Sequence, residues 1–427
     1  MYGRRRVGKT YLLLKLLEDI SQKSLYYFCL ESKNVERLKN KASRKHPFLE
    51  KLRDDEEIVL EEIFNVYDVV VLDEFPNWIK ENKEISVVLQ KLIDTSLQFK
   101  NKKLIVCGSL LSFMKGEIMS YKSPLYGKKT LSMQVKPLKF ADLREFFPSS
   151  PLQRLVGIYG IAGGVPYYLK LLPQKGDVVD YINSDLKKKG SWILQEADFL
   201  LKYEFRETRK YKLILEAIAL GKNTVNEIKN YTYFSKTEIM PYLHNLKEVG
   251  LIKKILPFPH KSKKNAHYFI ADNFMSFWFR FIHPNLSYIE EGTYHLDKKD
   301  YYNYLGNVFK DIAKQLLIDL KPINFNKIGT WWHKDKEIDI IAINEETEEM
   351  LAVEVKWQDL KLRDVKSIIE ELHEKLPYVQ WENDKRKEIL GIFGKRIEKK
   401  ARKWLVSHGY KAWDLEDIKK IRKRKTN

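Results

Sequence analysis

Eight residues near the start of the chain, Gly3-Arg4-Arg5-Arg6-Val7-Gly8-Lys9-Thr10, follow the pattern G-x-x-x-x-G-K-[ST]. Such a loop can hold a phosphate chain. Its glycines let the backbone close round the anion without Cβ clashes. Its N–H groups, with the N-terminus of a following helix, face the negative charge. Lys9 then reaches the β- and γ-phosphates of a nucleotide, and the Thr10 hydroxyl takes a Mg²⁺ position. The same pattern also arises by chance in solvated basic loops, so its neighbours matter. Tyr11-Leu12-Leu13-Leu14-Lys15-Leu16-Leu17 reads as the apolar helix the motif requires. Val69-Val70-Val71-Leu72-Asp73-Glu74 reads as a buried parallel strand ending in two carboxylates. There, Asp73 is placed to hold Mg²⁺, and Glu74 to polarise an attacking water. The plainer reading of this pair is an ordinary acidic strand end. A third strand, Lys103-Leu104-Ile105-Val106-Cys107-Gly108-Ser109, ends in a small polar residue. Ser109 could sense a γ-phosphate or position the water; taken alone it is a turn residue. The candidate ATP and Mg²⁺ site is thus Gly3, Arg4, Arg5, Arg6, Val7, Gly8, Lys9, Thr10, Asp73 and Ser109, with Glu74 as its catalytic group.

A second constellation lies far downstream. Glu337-Ile338-Asp339-Ile340-Ile341-Ala342 precedes a polar turn, and Leu351-Ala352-Val353-Glu354-Val355-Lys356-Trp357 follows it. Glu354 and Lys356 are two apart and share one face of their strand. Antiparallel pairing can bring Asp339 alongside. Two carboxylates and a lysine on one sheet face suit Mg²⁺ with a cation beside it, so Asp339 and Glu354 are candidate metal ligands and Asp339, Glu354 and Lys356 candidate catalytic residues. The competing reading is an amphipathic hairpin with ordinary solvent-facing charges.

These residues need elements to position them. A chain of 427 residues accommodates roughly two to four domains, and 44% hydrophobic content supplies their cores. Residues 1–150 alternate helical and strand patterns, as in a three-layer α/β domain. Only Met1 and Tyr2 precede the loop, whereas a P-loop normally follows a central strand. That strand then comes from elsewhere, or the chain begins inside its first domain and Met1 is not the native start. Pro148-Ser149-Ser150-Pro151 is a break. Residues 151–208 read as a helical lid with a sharp turn at Ala162-Gly163-Gly164-Val165-Pro166. Within 209–282, Tyr211 to Leu220 is a helix, Thr224 caps a second, and Ser235 caps a third that Gly250 stops. Strands at Leu251–Ile255 and His267–Ile270 flank a basic loop, His260 to Lys264. Three helices and a hairpin spell a winged helix, whose third helix would enter a DNA major groove with the hairpin near the backbone. Winged helices that only pack against protein are the alternative. Phe274 to Ile282 reads as a buried connector. Residues 283–427 form another αβ unit with a basic tail, Lys419 to Lys425.

The charge balance, 77 Lys+Arg against 58 Asp+Glu for a net +19, favours a polyanion, most simply DNA. Lysine-rich surfaces also occur in thermophile proteins. Cys29 and Cys107, the only cysteines, lie in apolar runs and read as reduced core residues of a cytoplasmic protein. No run approaches roughly 18 uninterrupted apolar residues, so no membrane partner is expected. Assembly of the chain with copies of itself is left open.

The ordered set of motifs resembles the archaeal ATPase family, a clade of STAND P-loop NTPases. Matching stretches include Tyr2 to Thr10, Val71-Leu72-Asp73-Glu74-Phe75, Cys107-Gly108-Ser109, Ser123-Pro124-Leu125-Tyr126-Gly127, Gly163-Gly164-Val165-Pro166-Tyr167-Tyr168, Ile328-Gly329-Thr330-Trp331-Trp332, Glu337-Ile338-Asp339 and Glu354-Val355-Lys356-Trp357. The D…E-x-K pattern resembles the PD-(D/E)XK nuclease superfamily, in which two acids hold Mg²⁺ and the lysine helps position water. The resemblance implies an α/β P-loop NTPase domain with helical lid, winged helix and a C-terminal restriction-endonuclease-like αβ domain, and ATP as ligand. This chain departs from the family in three places. The lead segment and first strand that the family usually carries before the loop are both missing here. Lys128-Lys129 stand after Tyr126-Gly127 where arginine is frequent, and lysine does not replace a bidentate arginine. Lys310 follows Phe309 where a glutamate near the metal is frequent. The expected function is an ATPase acting on DNA, with ATP state coupled to the winged helix and the nuclease-like domain. The alternative is a nucleotide-dependent DNA-binding switch or scaffold with little turnover and no nuclease activity.

Overall fold

The valine-rich run at 69–73 forms the middle of a parallel sheet. The computed structural model describes residues 1–97, 101–109, 113–259 and 265–418. The basic loop His260 to Lys264 and the basic tail fall outside the described residues. Strands β1 (Ser24–Phe28), β2 (Val69–Asp73) and β3 (Lys103–Val106) pair in parallel in that order. Every residue of β2 is buried, because helices cover both faces of the sheet. Alternation divides its side chains. Val69 and Val71 pack with Leu13 of the helix Lys9–Asp19 and with Cys107. Val70 and Leu72 pack with Val59, Leu60 and Ile63 of the helix Glu56–Val66 and with Leu89 of Ile85–Leu92. The result is three α/β layers.

Met1 and Tyr2 add to this sheet. The Met1 ammonium donates to the Val106 carbonyl at 2.7 Å. Tyr2 N–H donates to Met133 O at 2.9 Å, and Val135 N–H donates to Tyr2 O at 2.8 Å. Tyr2 bridges Gly108 on one side and Gln134 on the other, both in parallel. Tyr2 thus lies between the residues just past β3 and residues 133–135. The loop therefore leaves from inside the sheet.

Helices follow at Leu152–Ala162, Pro166–Leu171, Val178–Leu186 and Trp192–Glu204. The turn at Gly163-Gly164 is tight for two reasons. Gly163 has φ +53°, and a Cβ on Gly164 would strike the Leu138 backbone. Three more helices follow, Arg209–Ala219, Val225–Thr232 and Lys236–Glu248, and the second and third start as their caps predict. The Thr224 side chain accepts from Glu227 N–H, and that of Ser235 from Glu238 N–H. Strands β4 (Ile252–Ile255) and β5 (His267–Ile270) then pair antiparallel. The aromatic segment 274–282 is buried almost throughout.

The long helix Lys298–Leu320 leads into a mixed sheet of order β10-β9-β8-β7-β6. Its strands are β6 (Lys327–His333), β7 (Lys336–Asn344), β8 (Glu349–Leu360), β9 (Lys387–Ile397) and β10 (Lys411–Asp414). One buried cluster runs from the helices after residue 152 through the three-helix unit to this sheet, joining Leu155, Leu215, Leu243, Leu305 and Val353. The hairpin docks on β6. The His267 ring stacks on Trp332 with centroids 4.4 Å apart, and Phe258 N–H donates to Thr330 O at 2.9 Å. Thr330 lies within a register break between Gly329 and Trp331, which frees its carbonyl from the ladder.

Candidate functional site

The loop of residues 3–10 closes where its sequence permits. Gly8 has φ +94° and precedes the first residue of the helix Lys9–Asp19. Gly3 lies close against a neighbouring segment: a Cβ there would collide with the Val135 carbonyl. Lys9 is almost fully buried, and its ammonium donates to Gly3 O at 2.9 Å and Arg4 O at 3.0 Å. Burial lowers its pKa, opposed by the charges of Glu74 and Asp73. Asp73 is fully buried at the end of β2. Its Oδ2 accepts from the Thr10 hydroxyl at 2.6 Å and from the Tyr26 hydroxyl at 2.8 Å. Its Oδ1 accepts from Glu74 N–H at 3.0 Å. Thr10 and Asp73 therefore present two hard oxygens side by side at the start of a helix, a donor set that fits Mg²⁺.

Glu74 sits in the left-handed region, with φ +53°. Its Oε1 accepts from the Ser109 hydroxyl at 2.6 Å. Its Oε2 accepts from Ser109 N–H at 3.2 Å and from the Tyr203 hydroxyl at 3.3 Å. The Tyr203 and Ser109 hydroxyls are themselves 3.0 Å apart. Glu74 and Ser109, separated in sequence, thus meet at adjacent strand ends. Tyr203 reaches them from the end of the helix Trp192–Glu204, and nothing in the local sequence marks it. The same is true of Glu204. Its Oε2 is buried with no hydrogen-bond partner, and burial pushes its carboxyl up to about 7 against the pull of Arg4 and Lys80.

The three loop arginines turn their side chains to the protein. Arg4 Nη1 lies 2.6 Å from Asp272 Oδ2. Arg5 stacks over the Tyr203 ring at 4.2 Å and near Phe199 at 4.7 Å. Arg6 makes a two-pronged contact with Glu196, at 3.0 and 3.1 Å, and covers the Tyr167 ring at 4.0 Å. These guanidinium groups fasten the loop to the helix Trp192–Glu204 and to Asp272, just past β5. Lys128, at the position where arginine is frequent, donates to both oxygens of Asp94 at 2.7 and 2.8 Å.

In the C-terminal sheet, Asp339 on β7 and Glu354 on β8 are both buried. Asp339 Oδ2 accepts from Val355 N–H at 2.8 Å, which ties it to the neighbouring strand. Lys356 Nζ donates to Glu354 Oε2 at 3.2 Å, so the i, i+2 relationship places both on one face. Two further lysines complete the cluster. Lys375 Nζ donates to Glu354 Oε1 at 2.8 Å. Lys310 Nζ is 2.6 Å from Asp339 Oδ1 and 2.9 Å from Glu337 Oε1. Burial, with the Asp339 charge added, pushes the Glu354 carboxyl up to about 7, and Lys356 and Lys375 pull it back. Among the described residues no group of three His, Cys, Asp or Glu side chains is arranged to hold a metal. Each member of the acid pair is thus bonded to an ammonium.

Residues 1–172 match an ATPase domain predominantly from Archaea. Residues 278–368 match a family described as archaeal and bacterial proteins of unknown function. An uncharacterized protein of Methanocaldococcus jannaschii is 45% identical over 408 residues, covering 94% of this chain and 91% of that relative. Among solved structures, the Walker-type ATPase of Pyrococcus abyssi is similar with a TM-score of 0.47 and 22% identity, over 65% of this chain and 89% of that one. The Orc1 protein of Aeropyrum pernix in complex with DNA gives a TM-score of 0.31 and 13% identity, over 67% and 86% of the two chains. With the phosphate-binding loop matched inside an ATPase domain and a near full-length archaeal relative, the chain belongs to the archaeal ATPase family.

Proposed function

We propose that the chain binds ATP with Mg²⁺ at residues 3–10 and hydrolyses it, and that nucleotide state is passed to a DNA-binding unit. The observation that carries this reading is the pairing of two couples at adjacent strand ends, Thr10 with Asp73 and Glu74 with Ser109. Lys9 leaves its loop carbonyls for the β- and γ-phosphates. Thr10 and Asp73 would hold Mg²⁺, which would neutralise charge on the phosphates. Glu74 takes the proton of the attacking water, and Ser109 orients Glu74.

The domain division that goes with this reading is 1–150 for the ATPase core, 151–208 for the helical lid, 209–282 for a winged helix and 283–427 for a nuclease-like domain. DNA is assigned to the winged helix because the outer face of the helix Lys236–Glu248 is free. Lys236, Thr237, Met240, His244 and Lys247 are exposed along it, and Tyr233 is 93% exposed just before it. The hairpin, docked on β6, leaves the third helix as the principal reader. No helix among the described residues is long and apolar enough to cross a membrane; the proposed place of action is the cytoplasm.

A second reading, a switch with slow turnover, is favoured by Glu74 itself, whose two oxygens are both engaged by Ser109 and Tyr203. One experiment separates the two: ATP binding and hydrolysis by the full chain, with and without duplex DNA, beside Lys9→Ala and Glu74→Gln. The ATPase reading expects Lys9→Ala to abolish nucleotide binding. It expects Glu74→Gln to bind ATP yet turn over about a hundredfold more slowly or less. Unchanged ATP affinity in Lys9→Ala sinks the site assignment. ATP bound without Glu74-dependent turnover leaves the switch.

A further inference from the structure

Two buried carboxylates on adjacent strands stay ionised only beside positive charge. In the C-terminal sheet that charge comes from three separate elements. Lys310 arrives from the helix Lys298–Leu320, Lys356 from β8, and Lys375 from the end of the helix Leu362–Lys375. Their ammonium groups reach Asp339 at 2.6 Å and Glu354 at 3.2 and 2.8 Å. An ammonium carries three donors and no lone pair, so it satisfies carboxylate oxygens and cannot ligate a metal. A Mg²⁺ ion demands near-octahedral oxygen ligands at about 2.0–2.1 Å. Placed on Asp339 Oδ1, it would meet Lys310 Nζ already there, a like charge in a partly buried site.

We propose that the Asp339–Glu354 pair is a cation site filled from within the chain: Lys310 occupies the place of a divalent metal, and the C-terminal domain neither holds Mg²⁺ at this pair nor cuts phosphodiesters. The domain then serves as a docking partner for the hairpin and as a structural continuation of the central core. The lysines fix β7, β8 and the two flanking helices to one another. This inference does not depend on ATP turnover at the loop, and its test leaves that activity aside.

The test is Mn²⁺ binding by the full chain without nucleotide, followed by the loss of the free-ion paramagnetic resonance signal. Asp73→Asn is present throughout to silence the loop. The parent is expected to show no saturable Mn²⁺ site that Asp339→Asn removes. Lys310→Glu, which exchanges the ammonium for a third carboxylate, is expected to gain one Mn²⁺ site per chain that Asp339→Asn then abolishes. Lys310→Ala is the second variant, expected to gain a weaker site of the same dependence. A parent chain with an Asp339-dependent Mn²⁺ site overturns the proposal. So does Mg²⁺-dependent DNA cleavage that Glu354→Ala removes. Folded Lys310 variants that gain no site overturn it too, because the ammonium would then not be what excludes the ion.

Discussion

Arg4 and Asp272 form an ion pair that joins the phosphate-binding loop to the end of the hairpin. The contact is 2.6 Å, and the Asp272 side chain is only 3% exposed. Asp272 also caps the helix Asn273–Phe277, where its Oδ1 accepts from Met275 N–H at 2.8 Å. A shift of the loop therefore pulls on the residue that starts the buried connector. Arg4→Ala leaves a buried carboxylate without its partner, and removing one member of such a pair costs on the order of 3 kcal/mol. Denaturant unfolding of the two proteins measures this. A loss well under 1 kcal/mol would mean that Asp272 finds another cation and that the link carries little energy.

Tyr203 ties the helix Trp192–Glu204 to the candidate base. Its hydroxyl lies 3.3 Å from Glu74 Oε2 and 3.0 Å from Ser109 Oγ, while Arg5 of the loop covers its ring. Tyr203→Phe removes the hydroxyl and keeps the ring. With one hydrogen bond fewer on its carboxylate, Glu74 is freer to take a proton from water. A bond of this kind contributes about 0.5–1.5 kcal/mol, so basal turnover should rise about two- to tenfold with ATP affinity unchanged. A fall in turnover at unchanged affinity would make Tyr203 a support of the working geometry.

Local patterns explain what sequence reasoning reaches. The loop, the all-buried β2, the caps at Thr224 and Ser235 and the i, i+2 pair Glu354–Lys356 are each set by residues a few positions apart. The relations it misses join distant segments: Tyr203 to Glu74, Arg4 to Asp272, Lys375 to Glu354. No periodicity encodes such pairs, because each depends on how finished elements pack. Lys310 stands out in the sequence as an unusual residue, yet its bond to Asp339 is fixed only once the long helix lies against the sheet. The arginines of the loop escape sequence reasoning for the same cause. Their partners Glu196, Phe199 and Asp272 lie on elements that fold back over the loop.

Gly329 belongs to a stretch, Gly329-Thr330-Trp331-Trp332, whose role the fold makes plain. It is the strip of β6 that receives the hairpin. A Cβ at Gly329 would sit 2.6 Å from Phe258 Cγ. Gly329→Ala must therefore push Phe258 off β6 and strain its bond to Thr330. Overpacking of this sort costs about 1–3 kcal/mol. Equilibrium unfolding tests it, and a Gly329→Ala chain as stable as its parent would show the hairpin to be loosely seated.

Glu204 makes stability depend on pH near neutrality. Burial raises its carboxyl from the ordinary range near 4.5 to about 7, with Arg4, Lys80 and Lys9 opposing and Glu74 adding to the rise. The folded chain thus holds this proton more tightly than the unfolded chain does. Its contribution is complete below about pH 4.5 and is lost as pH rises through about 7. Glu354 shifts in the same direction, so the comparison must be between parent and variant rather than within one protein. Glu204→Gln keeps the shape and removes the ionisation. Relative to the parent, it should gain stability between pH 5 and pH 8, by on the order of 3 kcal/mol at most. Nucleotide is left out of the measurement, since phosphate in the loop would add its own charge beside Arg4 and Lys9. If the two proteins trace parallel stability curves across that window, Glu204 ionises in the folded chain without cost, and solvent must reach it.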